Sequence, residues 1–135
     1  MTISAFISKQ PPARQRLLSG IHEIIIREDK NVKAHIGSMM GIEMIVYEAT
    51  GIFKYGLSPV KNHITLHAMP IYGSPKLYEK YKKLLPNAIF QKGCINFKNA
   101  DDMPLKITEQ LILDCSSVDL LAIREDYLKS KEAKR

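Results

Sequence analysis

Cysteine occurs only twice in the 135 residues, with no Cys-x-x-Cys spacing. Cys94 and Cys115 both fall in expected regular structure, so they read as reduced core thiols of a cytoplasmic protein rather than a disulfide framework. Long apolar runs are missing too. None approaches the ~18 residues that span a bilayer, which argues against a membrane-spanning helix. The opening MTISAFISKQPP lacks a basic segment followed by a long apolar one, so it does not read as a secretory signal. Glycine-rich phosphate loops are absent: SGIHE and KGCINF lack the required spacing.

The composition that remains is globular. Apolar residues make up 45% and charged residues 25%, enough for one domain with its own core. The net charge of +6 has two sources. Residues 76–83 (KLYEKYKK) and 128–135 (LKSKEAKR) each carry four basic residues against one Glu. A nucleic-acid reader spreads basic charge over one broad face. Two short patches instead suggest a solvated helix and a frayed C-terminal tail, with no specific nucleic-acid partner.

Periodicity predicts the elements. Pro11 and Pro12 open a helix over about 11–28, with Leu17, Leu18, Ile21, Ile24 and Ile25 on one stripe. Short β-type segments follow over about 34–97. In IEMIVYE, Ile42, Met44 and Val46 share one face, and Glu43, Ile45 and Tyr47 the other. EATG reads as a hairpin connection, and AIFQKGCINF as a fifth strand. Met39, Met40, Met44 and Met69 suit gap-filling core positions. A short helix spans 74–85. Asp101 and Asp102 before Pro104 are expected to cap a last helix over about 104–129, with Ser116 and Ser117 as a weak point. The expectation is one α+β domain over 1–135, with an antiparallel sheet of about five strands and helices on one face.

KNHITLHAMP holds two of the four histidines. On a strand, His63, Thr65 and His67 point one way and Ile64, Leu66 and Ala68 the other. The apolar side must meet the helices, so the histidines face solvent or a groove. Their Cα atoms lie about 13 Å apart on a strand, too far to share a metal whose bonds are about 2.1 Å. Lys61, His63 and Lys92 are the polar residues to group: if their strands are neighbours, they form a pocket for a small anionic ligand or a protein partner. No base is evident for Cys94, and no catalytic set emerges, so the reading is a binding module. The alternative is a small enzyme whose pocket the fold assembles on the sheet.

Several stretches resemble one family. KNHITL looks like the Lys-x-His-apolar-Ser/Thr-Leu strand of the YdhG-like domains, the family of unknown function numbered 1801. QKGCINF is similar to its Lys-Gly-x-apolar-x-Phe strand, and DDMPLKITEQLI to its acidic-x-Pro helix opening. LYEKYKKLLP lies between them, where the family places a helix, and the order agrees from about residue 30 to 128. The family's Tyr-Gly-Met-Pro stretch is replaced by GSMMG. The resemblance implies a frataxin-like sandwich and, for one branch, an iron chaperone for cluster or haem assembly. Iron held that way needs dense carboxylates. The first long helix here sets Arg14, Arg16 and Arg27 against Glu23, Glu28 and Asp29. His63, Glu43 and Glu48 are the remaining metal candidates, and no resident cofactor is expected from the residues themselves.

Overall fold

The computed structural model describes residues 1–120, 122, 128 and 129. Within them the chain is α+β. A six-stranded antiparallel sheet has the order β1-β2-β3-β4-β6-β5. Its strands are β1 (Val32–Met39), β2 (Ile42–Ala49), β3 (Ile52–Pro59), β4 (Ile64–Ala68), β5 (Ile89–Gln91) and β6 (Cys94–Phe97). The helices are α1 (Ile3–Ser8), α2 (Pro12–Glu28), α3 (Met69–Tyr72), α4 (Pro75–Leu84) and α5 (Leu105–Ser116).

The expected long N-terminal helix is α2, and its five stripe residues are all buried. They join Ile45 and Tyr47 of β2, Tyr55 and Leu57 of β3, Ile64 and Leu66 of β4, and Ile95 and Phe97 of β6 in one core. Buried side chains of α1, α3, α4 and α5 belong to the same cluster. The alternation read in IEMIVYE therefore holds: Ile45 and Tyr47 meet the helices. Met44 and Val46, on the opposite face, are nevertheless buried.

Tight hairpins set the first three strands. Met40 and Gly41 (φ 53° and 80°) turn β1 into β2, and Thr50 and Gly51 (φ 51° and 76°) turn β2 into β3. Two successive residues at positive φ make the turn whose twist suits a two-residue hairpin. A bulge follows. Tyr47 pairs with Tyr55 but Glu48 with Phe53, which leaves Lys54 as the extra residue. That extra residue is driven inward: the Lys54 side chain, 3% exposed, meets the fully buried Asp29 carboxylate at the end of α2 at 2.7 Å.

Four expectations change. The sheet has six strands, because AIFQKGCINF folds back on itself at Lys92–Gly93, with Lys92 at φ 55°. Residues Met69–Tyr72 form a short helix directly after β4, inside the span read as β-type. Asp101 and Asp102 do not cap α5. Its N-cap is Pro104, whose carbonyl accepts from the Thr108 amide and hydroxyl, while Asp102 Oδ2 accepts from the Lys98 amide at 2.9 Å and fastens the loop instead. Finally, α5 stops at Ser116 rather than near 129. The Ser116 and Ser117 hydroxyls donate to the Leu113 and Asp114 carbonyls, offering the last turn an alternative to helix continuation. Residues 120, 122, 128 and 129 are helical again, while Leu121, 123–127 and the tail from 130 onward fall outside the described residues.

Candidate functional site

Two cross-strand rows build the face of the sheet turned away from the helices. In an antiparallel pair, directly opposed residues share a face. The register runs Ser58–Thr65–Asn96–Ile89 in one row. Two residues along it runs Gly56–His67–Cys94–Gln91. Each row crosses β3, β4, β6 and β5. Alternation with the core-facing residues Leu66 and Ile95 puts both rows on the open side.

These rows floor a cavity of about 1050 Å³. Val60, His63, Asn87, Lys98, Asn99 and Asp102 also line it, with Ile42 and Ile89 as its exposed apolar members. Most of its polar lining is hydroxyl, amide, thiol and imidazole groups. Lys98 and Asp102 are its two fully charged members and have opposite signs.

The floor groups are bonded to one another. Thr65 Oγ1 donates to Asn96 Oδ1 at 2.7 Å, and Asn96 Nδ2 donates to Gln91 Oε1 at 3.2 Å. Cys94 Sγ lies 3.0 Å from His67 Nδ1. Burial pushes the Cys94 thiol up and the His67 imidazole down. Both shifts favour the neutral thiol–imidazole pair over an ion pair. The Ser58 hydroxyl, on a residue 1% exposed, has no hydrogen-bond partner.

The packing beside His67 depends on a missing side chain. A Cβ at Gly56 would lie 2.7 Å from Phe53 Cζ and 2.8 Å from Met44 Sδ. Without it, Phe53 packs down over the strand and stands edge-on to His67, with centroids 6.4 Å apart. The ring packs against one side of the imidazole.

The structure sorts the residues singled out in the sequence. His63, Thr65 and His67 all line the open-side cavity. Of the Lys61, His63 and Lys92 group, only His63 does. β4 and β6 are neighbours, but antiparallel pairing of Ile64 with Phe97 and His67 with Cys94 sends Lys61 and Lys92 to opposite ends. Arg14 reaches Val60 and Lys61 through their carbonyl oxygens, at 2.7 and 3.3 Å, and so holds the β3–β4 turn. Glu48 meets His35 at 3.6 Å, and Glu43 is exposed on β2 opposite Ser38. Among the described residues, no three His, Cys, Asp or Glu side chains gather as a metal site.

Sequence reasoning missed the base beside Cys94. His67 is 27 residues away and meets the thiol only through the β4–β6 register. The signal was present as two open-face positions on strands that the alternation could place, but not their pairing.

Compared with protein-family models, curated proteins and solved structures, the chain shows no significant match.

Proposed function

We propose that this domain is a small-molecule-binding module that takes its ligand on the open face of the sheet. The observation that carries the reading is the floor of the cavity. A sheet face that merely meets water carries long charged side chains. This one carries short donors and acceptors bonded to each other on the floor of an open groove of about 1050 Å³. Concave volume with a few convergent polar groups is the usual signature of a ligand site. The near-neutral lining favours an uncharged polar ligand with an apolar part for Ile42 and Ile89. Lys61 and Lys92 lie outside the lining, which leaves Lys98 as its one lysine among the described residues.

The resemblance to the YdhG-like domains supports a small cytoplasmic α+β domain, and the lack of an evident catalytic set in the sequence supports binding rather than turnover. No helix among the described residues is long and apolar enough to cross a membrane. The test is a fragment screen by amide NMR, using polar heterocycles with the wild type and Asn96→Trp. Fragments are expected to shift amides of β3, β4 and β6, and the indole placed in the cavity should abolish those shifts. Shifts that cluster elsewhere, or survive the variant, would overturn the assignment.

A further inference from the structure

We propose that Cys94 and His67 form a nucleophile–base pair on the cavity floor that captures ligands bearing a conjugated carbonyl. This rests on the ligand-binding reading above and adds the chemistry of its floor. A thiol within hydrogen-bond reach of a base that a third group orients is the arrangement nucleophilic capture needs. Here the distance is 3.0 Å, and the Phe53 ring packs edge-on against the imidazole. The two cysteines differ sharply in access. Cys94 is partly exposed and lines the cavity, whereas Cys115 is fully buried.

Ser58 marks the far end of the ligand. Its hydroxyl is unpartnered on a residue 1% exposed, and it shares the open face with Thr65, its cross-strand partner. Two strand spacings and a two-residue rise separate it from Cys94, about 12 Å. A ligand with an electrophilic carbon at one end and a polar group at the other spans that gap.

The backbone selects the reaction class. Acyl transfer needs N–H donors aimed at a developing oxyanion beside the nucleophile. Cys94 is paired with His67 on one side and Gln91 on the other, so the ladder engages the backbone around it. Conjugate addition needs no such hole at the attacked carbon. The thiol gives its proton to His67 Nδ1, and the sulfur lone pair bonds the β-carbon. The C=C π pair moves to the α-carbon as an enolate, which takes the proton back from the imidazolium. One S–H bond and one C=C π bond are exchanged for S–C and C–H bonds, with no oxidant or reductant. The raised thiol and lowered imidazole fit a base that acts at the moment of attack rather than a standing thiolate.

The test uses intact-mass kinetics of the full chain with 4-phenyl-3-buten-2-one, beside amide NMR with its saturated analogue 4-phenyl-2-butanone. One adduct is expected on the wild type, which should also bind the saturated ketone, and none on Cys94→Ser, whose amide spectrum should remain that of a folded chain. His67→Gln should slow the reaction at pH 7 by about 100-fold. The wild-type rate should be nearly flat from pH 7 to 8, while in His67→Gln it should climb about tenfold per pH unit with thiolate content. Equal rates and equal pH slopes in the two proteins would overturn the pair. So would faster modification of Cys94 by the N-acetylcysteamine thioester of phenylacetic acid, which would make the site acyl-accepting. Amide shifts from the saturated ketone with no adduct from the enone would sink the covalent step and spare the binding reading. Silence in both assays would sink both.

Discussion

Lys54 and Asp29 place an ion pair inside the protein. Their ion pair at 2.7 Å is almost wholly buried, and Tyr55 donates its hydroxyl to the same Asp29 Oδ2 at 2.8 Å. Asp29 Oδ1 has no partner. A buried pair adds little by itself, because desolvation offsets the attraction, but removing one member strands the other charge. Asp29→Ala is therefore expected to cost about 3–5 kcal/mol in urea unfolding. The double variant Asp29→Asn with Lys54→Met should recover much of that loss. If both proteins unfold at the same urea concentration, the stranded ammonium is not the cause. None of this was legible beforehand. Lys54 sits in a strand pattern whose apolar face is Phe53, Tyr55 and Leu57 by simple alternation, and only the bulge turns Lys54 inward and Phe53 outward. Cys94 teaches the same lesson at the cavity. Its face could be read from the sequence, but its partner is fixed by register, which no local window contains.

Among the elements, those with a regular period and ordinary turn residues were readable. The α2 stripe, the alternation of β2 and β4, and the EATG hairpin all follow from spacing and one glycine. Those needing an unusual backbone were not. The β5–β6 turn places Lys92 at φ 55°, a conformation that nothing in QKGC announces. Gly93 is required beside it, since a Cβ there would lie 2.8 Å from Tyr72 Cβ. Thr50 stands at φ 51° in the β2–β3 turn, a costly conformation for a β-branched residue. Its hydroxyl donates to the Ala49 carbonyl at 2.7 Å, which offsets part of the strain. Asn tolerates this conformation and pairs well with a following glycine. Thr50→Asn should stabilise the protein by about 0.5–1 kcal/mol, a gain of the size seen when a residue is matched to its backbone. Thermal unfolding reads this directly, and an unchanged or lowered Tm would show that the hydroxyl contact outweighs the strain.

For the whole molecule, the scatter of carboxylates sets the expectation for iron, which the family resemblance raises. His63 lines the cavity, Glu48 pairs with His35 on the far side of the sheet order, and Glu43 is exposed on β2. Anaerobic calorimetry with ferrous iron is expected to give heat no different from buffer. Micromolar binding that weakens in His63→Ala would support the iron-chaperone reading instead. Buried titratable groups also set the pH range of the fold. Burial lowers His22 and His67 from 6.5, so the unfolded chain takes up protons near pH 6.5 while the folded one does not. Their contribution is therefore present above pH 6.5 and lost as pH falls below it. Tyr47 and Tyr55 are shifted the other way. Both are fully buried, and burial raises them from 10.0. Unfolded phenols ionise near pH 10 while the folded ones stay neutral. This contribution is thus intact below pH 10 and lost above it, by up to about 1.4 kcal/mol per pH unit for each tyrosine. Stability should accordingly form a plateau from about pH 6.5 to 10 and fall on both sides. Tyr47→Phe should flatten the alkaline fall, at the cost of the 2.6 Å contact between its hydroxyl and His22 Nδ1. Urea midpoints measured from pH 5 to 11 test this, and an alkaline limb equally steep in wild type and Tyr47→Phe would rule out the buried phenol as its source.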